Sequence, residues 1–96
     1  MSDPALYTIK FAPRFDRIFK SLTKKKPSLM SPLLGGIDKI AREPMLGKPL
    51  RNILSNKRRI PIEGSFVLLY EIVGTEVRLL DFDHHNKIYK KYSARR

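Results

Sequence analysis

Cysteine is absent from this 96-residue chain. That removes a disulfide framework, a thiolate metal site and a cysteine nucleophile, and it suits a cytoplasmic protein. No run approaches the roughly 18 to 20 consecutive apolar residues that a membrane span requires, so no membrane partner is expected. The N-terminal MSDPALYTIKF has no basic segment followed by an apolar one, and no secretory signal is expected from it. A Gly-rich phosphate loop, a helical HExxH and a GxSxG are all missing, which leaves nucleotide hydrolysis, zinc proteolysis and serine hydrolysis without support. There is no internal repeat and no low-complexity segment. Acidic residues are scarce. Asp81, Asp83, His84 and His85 are of metal-ligand type, but carboxylates at a strand end of so basic a chain serve first as charge partners. Neither a metal nor a cofactor is expected.

What is present fits one domain spanning residues 1–96, able to bury a single modest core. Apolar residues make up 42% and aromatics 9%, ordinary for a globular protein. Twenty Lys and Arg against nine Asp and Glu leave a net charge of +11. A small folded domain with that balance attracts polyanions, because displacing counterions from phosphates favours binding without any reading of sequence. Nucleic acid is the expected target, against the blander reading of a solvated surface or an acidic protein partner.

The centre of the chain is Ser65 to Tyr89. Phe66, Leu68, Tyr70 and Ile72 alternate with Val67, Leu69 and Val73, so both faces of this strand are apolar and it should be central. Gly74-Thr75 turns it into a second strand, Glu76 to Asp83, whose middle is apolar and whose end is acidic and then imidazole-bearing. Upstream, 1–5 read as a loose end and Leu6 to Ala12 as a strand. Pro13 favours a first helical turn, and Phe15, Ile18, Phe19 and Leu22 recur at helical spacing, predicting a helix that ends near Leu22 or Thr23. A second stripe, Leu29 to Ala41, predicts a helix between Pro27 and Glu43, kinked or restarted at Pro32, with Ser31-Pro32 as cap and first residue. Pro44 to Leu54 reads as an ordered connection anchored by Leu46, Leu50, Ile53 and Leu54, with Gly47 and Pro49 as punctuation. Lys57 to Ile62 is the next strand, where Pro61 demands an edge, a bulge or an end. Residues 90–96 read as a basic tail. The expected fold is α+β: a small antiparallel sheet of about four strands, with two N-terminal helices packed on one face.

YTIKFAPRF at the start, GKPL at 47–50, KRRIPI, FVLLYEI and HHNKIY, in this order and spacing, resemble the RelE/ParE superfamily of type II toxin–antitoxin toxins, across roughly Tyr7 to Tyr89. The resemblance implies a small, metal-independent endoribonuclease that cuts messenger RNA, in most members within the ribosomal A site. The substrate's 2′-hydroxyl attacks the adjacent phosphate, which restricts the chemistry to RNA. It also implies a cognate antitoxin, a small acidic protein that neutralises the toxin. The family's C-terminal His-Arg-x-x-Val-Tyr reads here His84-His85-Asn86-Lys87-Ile88-Tyr89, with His85 in place of the arginine. An arginine usual in the central strand is Val67, an apolar version more like the YafQ branch, and weight shifts to the imidazoles. A ParE-like inhibitor of DNA gyrase without nuclease chemistry is the alternative, and a basic RNA-binding module with a decayed site is another.

An imidazole titrates near neutrality and can take a proton from a hydroxyl or return one to a leaving oxygen. His85 is the favoured acid or base and His84 an auxiliary or structural group; successive strand residues face opposite ways, so both reach one site only if the chain turns there. Tyr89 orients a phosphate, stacks on a base or simply packs. Arg59, with Lys57, Arg58 and Lys87, supplies candidate cations for phosphate contact and for charge in the transition state. Arg58 faces away from Lys57 and Arg59 in a strand. Arg78 faces the working side or neutralises Glu71 or Glu76 across strands.

Overall fold

The computed structural model describes residues 7–49 and 57–92. Strand β1 (Thr8–Phe11) leads through Ala12 into helix α1 (Pro13–Lys25). Proline at the first helical position has its φ already set and lacks only a donor that would be unpaired there anyway. A 3₁₀ turn (Pro27–Leu29) precedes helix α2 (Met30–Arg42). The restart therefore lies at Leu29–Met30, not at Ser31-Pro32. Pro32 is the third residue of α2, inside the first turn, where no intrahelical bond is lost.

A second 3₁₀ turn (Pro44–Leu46) and the two-residue strand β2 (Lys48–Pro49) follow. Leu46 is exposed and so does not anchor this connection; Leu50, Ile53 and Leu54 lie outside the described residues. Strands β3 (Lys57–Ile62), β4 (Phe66–Val73) and β5 (Glu76–His84) form the body of the sheet. Gly74 opens the β4–β5 turn at φ +62°, a left-handed position that a two-residue hairpin favours and glycine takes without strain.

The sheet order is β1-β5-β4-β3-β2. It has five strands, one more than expected, and β1 pairs parallel to β5 while the other three ladders are antiparallel. Pro61 is tolerated because, among the described residues, β2 pairs only with Arg58 and Arg59 and leaves that side of β3 without a strand partner at Pro61.

Both N-terminal helices lie on one face, as expected. Phe15, Leu29, Leu33 and Ile40 pack with Ile60, Ile62, Leu68, Tyr70, Val77, Leu79 and Phe82 in one core. Gly36 marks where α2 meets β3: a Cβ there would stand 2.5 Å from the Ile62 Cδ1 and 3.3 Å from that of Ile60. The opposite face is not bare. Val67 and Leu69 alternate away from that core and are also buried. Helix α3 (His85–Tyr92) packs over β4 and β5 on this second face, with Ile88 fully buried. Lys90, Lys91 and Tyr92, read as the start of a basic tail, are its last turn; residues 93–96 lie outside the described residues.

The register carries one irregularity. Leu69 pairs with Asp81 but Tyr70 pairs with Leu79, so Leu80 is an extra residue on β5. Such a bulge resets the alternation. Val77 and Leu79 face the main core before it, Phe82 faces it after, and Asp81 shares its side with Leu69.

Candidate active site

The β5–α3 junction separates the two histidines. His84 ends the strand, opposite Phe66 in register, and its ring lies 4.8 Å from the Phe66 ring. His85 begins α3, where its backbone N–H donates to the Ser65 carbonyl at 2.8 Å. Tyr89 is one helical turn on, the spacing that puts two side chains on one side of a helix. The His85 and Tyr89 rings meet edge to face with centroids 5.4 Å apart. Arg59 approaches from β3, its Cζ 5.2 Å from the centre of the Tyr89 ring, within cation–π range.

These three side chains line one open cleft of about 430 Å³, with Lys39, Leu46, Gly47, Lys48, Ile60, Pro61, Gly64 and Val67. Lys39, Lys48 and Arg59 bring positive charge from α2, β2 and β3, and no carboxylate is among the described lining residues. Val67, where the resemblance leads one to expect an arginine, is buried in the cleft wall. The Arg59 Nε is buried without a hydrogen-bond partner among the described residues. A desolvated guanidinium donor is costly to leave unmet, so this one favours an anionic acceptor.

The other sequence candidates lie elsewhere. Lys57 shares a face with Arg59, but its Nζ donates to the Glu71 Oε1 at 2.7 Å, both side chains largely buried. Arg78 donates from Nε to Glu76 at 2.7 Å and approaches Glu71 at 3.7 Å. The bond to Glu76 pushes its already high pKa further up. Arg58 takes the opposite face, donating from Nη1 to the Gly47 carbonyl at 2.7 Å and the Met45 carbonyl at 3.3 Å. It thereby holds the 44–47 connection that forms one cleft wall. Lys87 is exposed and two residues past His85, on another side of α3.

Two contributors escaped sequence reasoning. Lys48 lies within GKPL, which marked the segment but not its role. Lys39 sits among the polar residues of α2, where nothing distinguishes it from any solvated lysine. Tyr70 sets the connection bearing Lys48 from beneath: its hydroxyl donates to the Pro44 carbonyl at 2.6 Å and accepts from the Gly47 N–H at 2.9 Å. Burial pushes the Tyr70 phenol up, against the opposing pull of the Gly47 N–H and Arg58.

Asp81, a metal-ligand type in the sequence, is fully buried and engaged by protein donors: Lys91 Nζ at 2.8 Å, the Tyr92 hydroxyl at 2.9 Å and Arg14 Nε at 3.3 Å. Among the described residues no group of three or more metal-ligating side chains is placed to hold an ion. No described helix is long and apolar enough to cross a membrane.

Residues 9–89 match the ParE toxin family of type II toxin–antitoxin systems, and the chain belongs to that family, within the RelE/ParE superfamily. A Methanocaldococcus jannaschii protein named "Putative toxin RelE4" is 34% identical over 88 residues, covering 90% of this chain and 94% of its own. In the crystal structure of the Mycobacterium tuberculosis toxin–antitoxin complex RelBE2, a chain 30% identical superposes with a TM-score of 0.69, covering 83% of this chain and 99% of that one. The Escherichia coli DinJ–YafQ complex contains a chain with TM-score 0.72 at 14% identity, covering 88% and 99%, a likeness of fold alone.

Proposed function

We propose that the chain is an endoribonuclease that cleaves messenger RNA, in the ribosomal A site, and is held inactive by a cognate antitoxin. The observation that carries this reading is the meeting of His85, Tyr89 and Arg59 in one cleft without a lining carboxylate. The 2′-oxygen of the substrate attacks the neighbouring phosphorus and the bond to the 5′-oxygen breaks, leaving a 2′,3′-cyclic phosphate. One proton leaves the 2′-hydroxyl and one reaches the 5′-oxygen. His85 is the residue in the cleft suited to move such a proton. Arg59 offsets charge on the phosphoryl oxygens, Lys39 and Lys48 hold flanking phosphates, and Tyr89 orients or stacks on the nucleotide. His84, packed at a tilt against Phe66, has a structural part. Solved relatives crystallised with their antitoxins and the +11 charge together support an acidic partner that covers this cleft.

In translation extracts, wild type should yield new 5′ ends within translated messages. His85→Ala should slow cleavage on the order of 10²–10⁴-fold, with folding and ribosome binding retained. Equal cleavage by wild type and His85→Ala overturns the assignment. The ParE name of the matched family favours a second reading, inhibition of DNA gyrase. Gyrase-linked DNA breaks with intact messages would establish it instead.

A further inference from the structure

Helix α3 carries both His85 and Tyr89, yet it has little to hold it. Its eight described residues fall short of the roughly 12–15 at which an isolated helix begins to persist in water. Its first residue is tied to Ser65 and its centre is seated by Ile88. Its last turn rests on Asp81: the Oδ2 accepts from Lys91 Nζ at 2.8 Å and from the Tyr92 hydroxyl at 2.9 Å. The same oxygen meets Arg14 of α1 at 3.3 Å, and the Oδ1 accepts the Phe82 N–H at 2.8 Å. Asp83 adds a longer contact to Lys91 at 3.5 Å. The bulge at Leu80 gives Asp81 its place beside Leu69, on the α3 side of the sheet.

We propose that Asp81 is the positioning residue of the site, fixing the last turn of α3 so that His85 and Tyr89 stay against Arg59. Asp81 touches none of the cleft and acts only through the helix. Three points set a short rod on a surface; with the third released, the helix pivots about Ile88 and its terminal turn frays. Tyr89, three residues before Tyr92, leaves Arg59 first. The catalytic part of the inference rests on the nuclease reading, whereas the geometric part does not.

The test uses the full chain with Tyr92→Phe, which removes one bond to Asp81 without emptying the site, and Asp81→Asn, which keeps the shape and removes the charge. Amide hydrogen exchange of residues 88–92 should quicken at least tenfold in both, while β4 amides keep their protection. The nuclear Overhauser contact between the His85 and Tyr89 rings should weaken. On programmed ribosomes the maximal cleavage rate should fall about tenfold to a hundredfold, the scale expected when a catalytic group is misplaced by about 1 Å. The half-saturating ribosome concentration should stay within twofold, because Lys39, Lys48 and Arg59 are untouched. Unchanged exchange and ring contact in both variants overturn the inference. So does a loosened helix with the wild-type cleavage rate. A wild type that cuts no message defeats the nuclease reading, and the exchange and ring-contact results then decide the positioning by themselves.

Discussion

Gly47 shows how much one missing methyl group decides. A Cβ at this position would lie 2.6 Å from the Tyr70 hydroxyl oxygen and 2.7 Å from the Arg59 carbonyl. Neither can retreat: one is bonded at both ends inside the core and the other is backbone of β3. Gly47→Ala should therefore cost about 1–3 kcal/mol as overpacking. Tyr70→Phe should cost a similar amount, about 1–3 kcal/mol, because the Gly47 N–H and Pro44 carbonyl would stay buried without their partner. Urea unfolding of each variant checks both, with a lower midpoint and an unchanged slope expected. Each change also loosens the connection that brings Lys48 to the cleft. Gly36, by contrast, faces the side-chain ends of Ile60 and Ile62, which can yield by rotation where backbone cannot.

Among the elements, α3 has a stability tied to pH through Tyr92. Burial, and then the hydrogen bond to Asp81, push the Tyr92 phenol up to about 12 from an ordinary value near 10. The protonated phenol is thus the form the fold prefers. Its contribution is complete below about pH 10 and is lost as pH climbs through about 12. Melting temperatures of wild type and Tyr92→Phe should differ by a constant amount up to about pH 10 and converge above it. Because Tyr70 is present in both proteins, its own raised phenol cancels in the difference. A gap that stays constant to pH 12 would mean that the Tyr92–Asp81 bond does not hold the helix.

For the molecule as a whole, a charge of +11 makes attraction to RNA general, and the cleft makes it local. Many of the cations are already committed: Lys57 to Glu71, Arg78 to Glu76, Arg58 to backbone carbonyls, Lys91 to Asp81. Lys39, Lys48 and Arg59 line the cleft, and no acid is among its described lining residues. Lys39→Ala with Lys48→Ala should flatten the dependence of log affinity on log salt for a short single-stranded RNA by about 1.4, at about 0.7 for each phosphate no longer neutralised. Lys24→Ala with Lys25→Ala, on the exposed end of α1, should change it by less than half as much. Equal effects from the two pairs would leave the cleft no better than the rest of the basic surface.

Local periodicity was enough to read both long helices, the three-strand run from Lys57 to His84 and the Gly74 turn, because each depends on neighbours a few residues apart. The resemblance at HHNKIY drew attention to His84, His85 and Tyr89, of which His85 and Tyr89 line the cleft. Nothing local could say that β1 lies parallel against β5, since Thr8 and Glu76 meet only after the helices have folded between them. The Leu80 bulge was equally hidden, and with it the side on which Asp81 falls, because a bulge shows only as a slip against the partner strand. Helix α3 was too short to display a period, and its last turn is bonded to a buried carboxylate in another element. The cleft is assembled from α2, β2, β3, β4 and α3, so the lysines that charge it became distinguishable from other surface lysines only once packing had set them together.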